Sequence, residues 1–149
     1  MIKTVRTDSY DKNFTALVKS LDAYLKITDG EDHEFYNQYN SIDTLNHVIV
    51  AYKGDAFLGC GAIKRYNKDV VEIKRMYVKP NSRGLGIATK VLKALEVWAK
   101  ELGYKKCILE TGIRQVEAVN FYKKNEYKLI SNYGQYANME ESLCFEIEV

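Results

Sequence analysis

The sequence predicts an α+β domain on a mixed central sheet, an antiparallel meander plus one parallel crossover, flanked by about four helices. Three observations carry this. Between Val48 and Lys79, three strand-like runs follow one another with only short turns between them. A long stretch with helical periodicity then leads to a fourth run, Lys105 to Thr111. A helical crossover of that kind returns the chain parallel to the strand it left. At 149 residues the whole chain, 1–149, has the size of a single domain.

Taken in order, Ile2, Thr4 and Arg6 alternate with Lys3 and Val5 as a weak first strand. From Tyr10 to Ile27, the residues Phe14, Leu17, Val18, Leu21, Tyr24 and Leu25 fall at spacings of three and four, one apolar helical stripe. Asp8 or Ser9 is expected to cap it. Thr28 to Asp32 breaks the helix, and Phe35, Tyr36 and Tyr39 suggest a short second one. The meander comprises Val48 to Tyr52, Ala56 to Arg65 and Val70 to Lys79, with Lys53-Gly54-Asp55 and Tyr66-Asn67-Lys68-Asp69 as turns. Gly59 and Gly61 inside its second strand suggest a bulge or a close backbone approach. The longest helix is expected from about Gly84 to Leu102, with Ala88, Val91, Leu92, Leu95, Trp98, Ala99 and Leu102 on its apolar face and Gly103 as its stop. A helix from about Gln115 to Lys124 and strands near Tyr127–Ile130 and Leu143–Val149 complete the chain.

Composition narrows the function classes. The chain is 46% hydrophobic and 28% charged, enough to form a core and stay in solution. Its net charge of +2 is too balanced for a nucleic-acid surface. No apolar run is long enough to span a bilayer, and the mixed polar stretch Met1 to Tyr10 is unlike a signal peptide. Cys60, Cys107 and Cys144 are odd in number, far apart and set in apolar runs, which fits buried, reduced thiols and a cytoplasmic chain. Neither cysteine nor histidine is spaced for a metal site.

The stretch that carries chemistry is Met76-Tyr77-Val78-Lys79-Pro80-Asn81-Ser82-Arg83-Gly84-Leu85-Gly86-Ile87-Ala88, where a strand runs through a glycine-rich turn into a helix. Glycines let the backbone approach a ligand and aim successive N–H groups one way. The helix start adds unsatisfied donors and the positive dipole end, and Arg83 adds a full charge. Such a turn can hold a phosphate or pyrophosphate, or it can simply be a tightly packed strand-to-helix turn.

Arg83-Gly84-Leu85-Gly86-Ile87-Ala88 resembles the R/Q-x-x-G-x-G/A signature of the GNAT N-acetyltransferase superfamily, and the order of elements is similar along nearly the whole chain. A second stretch, Gln115 to Tyr127, resembles the family pattern N-x-x-A-x-x-L-Y-x-x-x-G-F through Ala118, Phe121, Tyr122 and Tyr127. Gln115 stands in place of asparagine there and Glu126 in place of glycine. The resemblance implies a GNAT-like acyl-CoA N-acyltransferase fold. It implies acetyl-CoA as cosubstrate, without a metal, and direct acetyl transfer to the primary amine of a small molecule or a protein. It assigns Met76, Tyr77, Val78, Arg83, Gly84, Leu85, Gly86, Ile87, Ala88, Gln115 and Tyr122 to the coenzyme. Tyr122 becomes the acid that protonates the leaving thiolate. Glu72 becomes the base, placed by strand period on the face of Lys74, Met76 and Val78.

The acidic segment Asp29 to Glu34 fits either a cation-attracting rim or a solvated loop. Asp32, His33 and Tyr36 are candidate acceptor-site residues, with Tyr133 and Tyr136 closing the pocket from the other side. A homodimer would suit the family. Two other readings remain at this point: an acyl-CoA-binding sensor module without turnover, and a dinucleotide-binding domain with Glu110 as the ribose acid. Against the second, Thr89 replaces the third glycine of G-x-G-x-x-G, and there is one clear crossover.

Overall fold

The computed structural model describes residues 1–30 and 44–149. Asp32, His33, Tyr36 and the short helix expected around Phe35 to Tyr39 lie outside the described residues. Strand β1 (Ile2–Thr7) leads to helix α1 (Lys12–Asp29). The meander follows as β2 (His47–Lys53), β3 (Ala56–Arg65) and β4 (Val70–Val78). A single 3-10 turn at Pro80–Ser82 precedes α2 (Ile87–Glu101), then β5 (Lys106–Gly112) and α3 (Val116–Lys124). Strand β6 (Lys128–Ile130), a second 3-10 turn (Gly134–Tyr136) and β7 (Ser142–Glu148) end the order. Among the described residues, seven strands form one sheet in the order β1-β2-β3-β4-β5-β7-β6, and β4–β5 is parallel as the crossover predicts. Three α-helices lie among the described residues.

Each helix follows from its sequence with small shifts at the ends. The cap of α1 is Asp11, not Asp8 or Ser9: its carboxylate accepts the N–H groups of Asn13 and Phe14 at 2.8 and 3.0 Å. Asp8 instead accepts the Tyr10 N–H in a local turn, and Ser9 bonds to Leu45. Phe14, Leu17, Val18 and Leu21 of α1 bury against Val48, Val50, Cys60, Ala62 and Tyr77 on one face of the sheet. On the other face, Ile87, Val91, Leu92, Leu95 and Ala99 of α2, with Val119 and Tyr122 of α3, pack on Ile49, Ile63, Val71, Ile73, Val78, Leu109 and Phe145. Helix α2 begins at Ile87 rather than near Gly84, because Gly84 and Gly86 hold φ of 84° and 77°, outside the helical region. The glycines of β3 mark both a bulge and a close approach: the β2–β3 register shifts beside Gly59, and the β3–β4 register shifts at Gly61. A Cβ on Gly61 would meet Met76 Sδ at 2.5 Å and Leu95 and Val91 at 2.9 Å. Among the described residues, no helix is long and apolar enough to cross a membrane.

One departure matters for the site. Between β3 and β4, Cys60 pairs with Tyr77 and Ala62 with Lys74, so β4 carries one extra residue. Arg75 sits in this bulge with φ of 60°. The extra residue reverses the alternation of side chains. Val71 and Ile73 before it, and Met76 and Val78 after it, all face the α2 side, whereas Tyr77 turns to α1. Strand period had put Glu72 on one face with Lys74, Met76 and Val78. The bulge leaves Glu72 with Lys74 only and sends Met76 and Val78 to the opposite face.

Candidate active site

The bulge opens the sheet. Strands β4 and β5 pair only through Val70–Lys106, Val71–Cys107 and Glu72–Ile108. Beyond Glu72 the two strands no longer pair, although β4 runs on to Val78 and β5 to Gly112. A cleft of about 110 Å³ occupies this opening. That is room for an extended ligand arm rather than a single water, which needs roughly 10–15 Å³. Of the predicted site residues, Glu72, Met76, Gln115, Tyr122 and Tyr136 line it together, with Leu21 and Leu25 of α1 on one side and Ala118 of α3 on the other. Lys74, Arg75, Glu110 and Thr111 also line it.

Tyr122 projects from α3 and is buried among Phe121, Tyr127 and Phe145. Its hydroxyl makes no hydrogen bond to a described residue. Burial pushes the phenol well above its ordinary pKa, and nearby Glu110 adds to this, so it stays protonated. Gln115 holds the N-cap position of α3 but makes no capping bond there, which leaves its amide on the cleft. Glu72 is 8% exposed. It accepts a 2.6 Å hydrogen bond from the Tyr133 hydroxyl and lies 3.8 Å from Lys74 Nζ. Tyr133 packs edge-on against Tyr136 and Tyr66, so the turn after β6 brings an aromatic wall to the carboxylate. Burial raises the pKa of both Tyr133 and Tyr136; Glu72 adds to it at Tyr133, and Glu110 and Glu72 add to it at Tyr136. Burial acts on Lys74 in the opposite sense and lowers its pKa, while Glu72 partly offsets that.

Arg83, Gly84, Leu85, Gly86, Ile87 and Ala88 form the second part of the site, at the N-terminus of α2. Among the described residues, no side chain caps this helix, and nothing lies within 4 Å of a Cβ built on Gly84 or Gly86. The turn is therefore an open cradle of backbone donors. Arg83 anchors beside it, its Nε donating to the Val78 carbonyl at 3.3 Å and its guanidinium 5.9 Å from the Tyr24 ring. Within this stretch Ile87 is buried in the core and Leu85 is 55% exposed, so these two shape the turn rather than line the cleft. Tyr77 likewise packs under α1, away from the cleft.

These features fit coenzyme A. An uncapped helix start with two left-handed glycines suits a pyrophosphate. A narrow cleft leads to a buried phenol that lacks a hydrogen-bond partner among the described residues, which suits a thioester-bearing arm. Sequence reasoning missed Lys74 and assigned Glu110 only to the ribose of a dinucleotide. Both face the opening created by the Arg75 bulge, which stands opposite Gly61 of β3, a glycine read as a bulge or a close approach, but which no glycine or proline marks in β4 itself. Among the described residues, no group of ligands is placed to hold a metal ion.

Comparison with known proteins points the same way. The profile of the acetyltransferase (GNAT) family matches residues 14–127. An IAA acetyltransferase of Azospirillum brasilense is 29% identical over 87% of this chain and 86% of its own length. An uncharacterized N-acetyltransferase of Escherichia coli, YjgM, is 28% identical over 76% of this chain and 62% of its own. The crystal structure of a proposed acyl-CoA N-acyltransferase from Klebsiella pneumoniae superposes with a TM-score of 0.84 at 27% identity, covering 99% of this chain and 97% of that one. A GNAT acetyltransferase from Elizabethkingia anophelis, solved with acetyl-CoA bound, shares the fold at a TM-score of 0.71 and 19% identity, over 99% and 98% of the two chains. With its parallel β4–β5 pair, its open glycine turn and a profile match over most of its length, the chain belongs to the GNAT acetyltransferase family, whose members are acetyl-CoA-dependent acyltransferases.

Proposed function

We propose that the protein moves the acetyl group of acetyl-CoA to the primary amine of a small molecule or protein, by direct attack while both substrates are bound. One observation carries this reading. A buried carboxylate, Glu72, and a buried phenol without a hydrogen-bond partner among the described residues, Tyr122, line the same cleft. In this reading the base and the acid flank one reacting centre within the cleft. Acetyl-CoA supplies the activated acyl group as a thioester.

The turn Arg83–Ala88 holds the pyrophosphate through backbone N–H groups and the Arg83 charge. Gln115 and Met76 position the arm that enters the cleft. An amine of ordinary basicity, pKa about 10, is mostly ammonium at neutral pH and must lose a proton before it can attack. Glu72 takes that proton, directly or through a water. The edge of β4 beyond Glu72 is unpaired toward β5, so N–H groups of the Met76–Val78 stretch can stabilise negative charge developing on the acyl oxygen. Tyr122 gives its proton to the departing thiolate. Tyr133 and Tyr136 form the acceptor-side wall, and Glu110 adds a second negative charge that favours a cationic acceptor.

The test is acetyl-CoA-dependent release of free thiol with a panel of small amines, amino acids and lysine peptides. Release that requires an amine and yields the acetylated amine supports the reading. Binding of acetyl-CoA without turnover on any amine would instead indicate a sensor module.

A further inference from the structure

We propose that Lys74 is itself an acceptor of the acetyl group, so that the enzyme acetylates its own cleft when no external amine occupies it. The inference rests on the acetyl-transfer reading of the same site. Lys74 lies on β4 two residues after Glu72 and on the same face, because both precede the bulge at Arg75. Its Nζ is 3.8 Å from Glu72 Oε1, and the two side chains are only 12% and 11% exposed. Lys74, Glu72 and Tyr122 line one cleft. Lys74 thus stands toward the carboxylate where an incoming amine must stand: a primary amine beside the base, in the opening that receives the thioester. Burial also lowers the pKa of Lys74, which raises the fraction of neutral, nucleophilic amine.

The step balances without a further reactant. Glu72 takes a proton from the Lys74 ammonium, and the neutral Nζ attacks the thioester carbonyl carbon. A C–N bond forms and the C–S bond breaks. Tyr122 protonates the leaving sulfur and is reprotonated through solvent by the proton Glu72 took up. A second proton is lost from nitrogen as the amide forms, and the sum is acetyl-lysine, free coenzyme A and one proton released. The product removes a positive charge and fills the acceptor end of the cleft with an amide. Self-acetylation therefore closes the site to later acceptors.

The experiment incubates the purified full chain with acetyl-CoA and no added amine, then follows intact mass and maps the modified peptide. The expected result is one acetyl group per chain, on Lys74. Exposed lysines such as Lys90, Lys93 and Lys100 should stay unmodified on the same timescale. Glu72→Gln and Tyr122→Phe should slow the modification by at least about tenfold. Wild-type turnover on an external amine should decay during preincubation with acetyl-CoA, and Lys74→Arg should show no such decay. The wild-type peptide map decides even if a variant fails to fold. An unmodified Lys74 in a chain that acetylates an external amine overturns the inference and leaves the acetyl-transfer reading intact. Acetyl groups spread over exposed lysines at equal rates overturn it as well. A chain that does not bind acetyl-CoA overturns both.

Discussion

Tyr122 concentrates the chemistry in one hydroxyl. Replacing it with phenylalanine keeps the ring contacts with Tyr127 and Phe145 and removes only the hydroxyl that donates the proton. We expect Tyr122→Phe to lower kcat by about 10²–10⁴-fold and to change the KM for acetyl-CoA far less, as read by steady-state thiol release. Burial of polar side chains has a second consequence at this scale. Tyr122, Tyr127, Tyr133 and Tyr136 all have pKa values raised by burial. The unfolded chain loses these protons near pH 10, whereas the folded chain keeps them. Their contribution is therefore intact below that pH, and stability falls as the pH rises past it. Phenolate absorbance should rise gradually for the exposed tyrosines and show a later step coincident with unfolding. The thiols follow the same rule: burial pushes Cys60 and Cys107 up to about 12 and Cys144 up to about 11. Native protein at neutral pH should resist thiol-alkylating reagents until it is unfolded.

Elements show where local sequence was sufficient and where packing decided. The periodicities of α1 and α2 predicted the centres of their buried faces, because a core-facing helix repeats its apolar positions every three or four residues; toward the C-terminal ends Tyr24 and Leu102 are exposed, and the buried Ile87 was not among the predicted positions. The caps were harder to read, since Asp8, Ser9 and Asp11 all suit an N-cap and only the backbone turn selects Asp11. The ending of α3 is similar. Glu126, which stands in place of a glycine, adopts φ of 71°. The Tyr127 N–H reaches the Tyr122 carbonyl and the Glu126 N–H reaches that of Lys123, the two bonds of a Schellman cap. The chain forms the turn despite its Cβ, at a cost of roughly 1–2 kcal/mol. Glu126→Gly should raise stability by about 1 kcal/mol, seen as a higher denaturant midpoint with unchanged slope. Gly61→Ala should act in the opposite sense. Its new methyl would press on Met76, Leu95 and Val91 at the interface of β3 and α2, and we expect a loss of about 1–3 kcal/mol in the same measurement.

The whole molecule is one sheet with helices on both faces, and its function depends on where that sheet comes apart. The meander, the crossover and the glycine turn were legible because each leaves a local signature of alternation, helical period or glycine spacing. The bulge at Arg75 was legible only from the β3 side, where Gly61 stands opposite it; nothing in β4 itself marks the extra residue. Its left-handed conformation is held by tertiary contacts, including a 2.8 Å ion pair from the buried Arg75 guanidinium to Asp22 on α1. The β4–β5 opening, and with it the roles of Lys74 and Glu110, followed only from the assembled sheet. So did the place of β7 between β5 and β6. This opening and the α2 cradle together are expected to bind acetyl-CoA. The most direct measurement is thermal unfolding with acetyl-CoA, coenzyme A or NAD, each at about 100 times a micromolar dissociation constant. Acetyl-CoA and coenzyme A should each stabilise the fold by about 2.7 kcal/mol, a Tm shift of several degrees, and NAD should not. An unchanged Tm with both coenzyme A species, or a shift with NAD alone, would contradict the account.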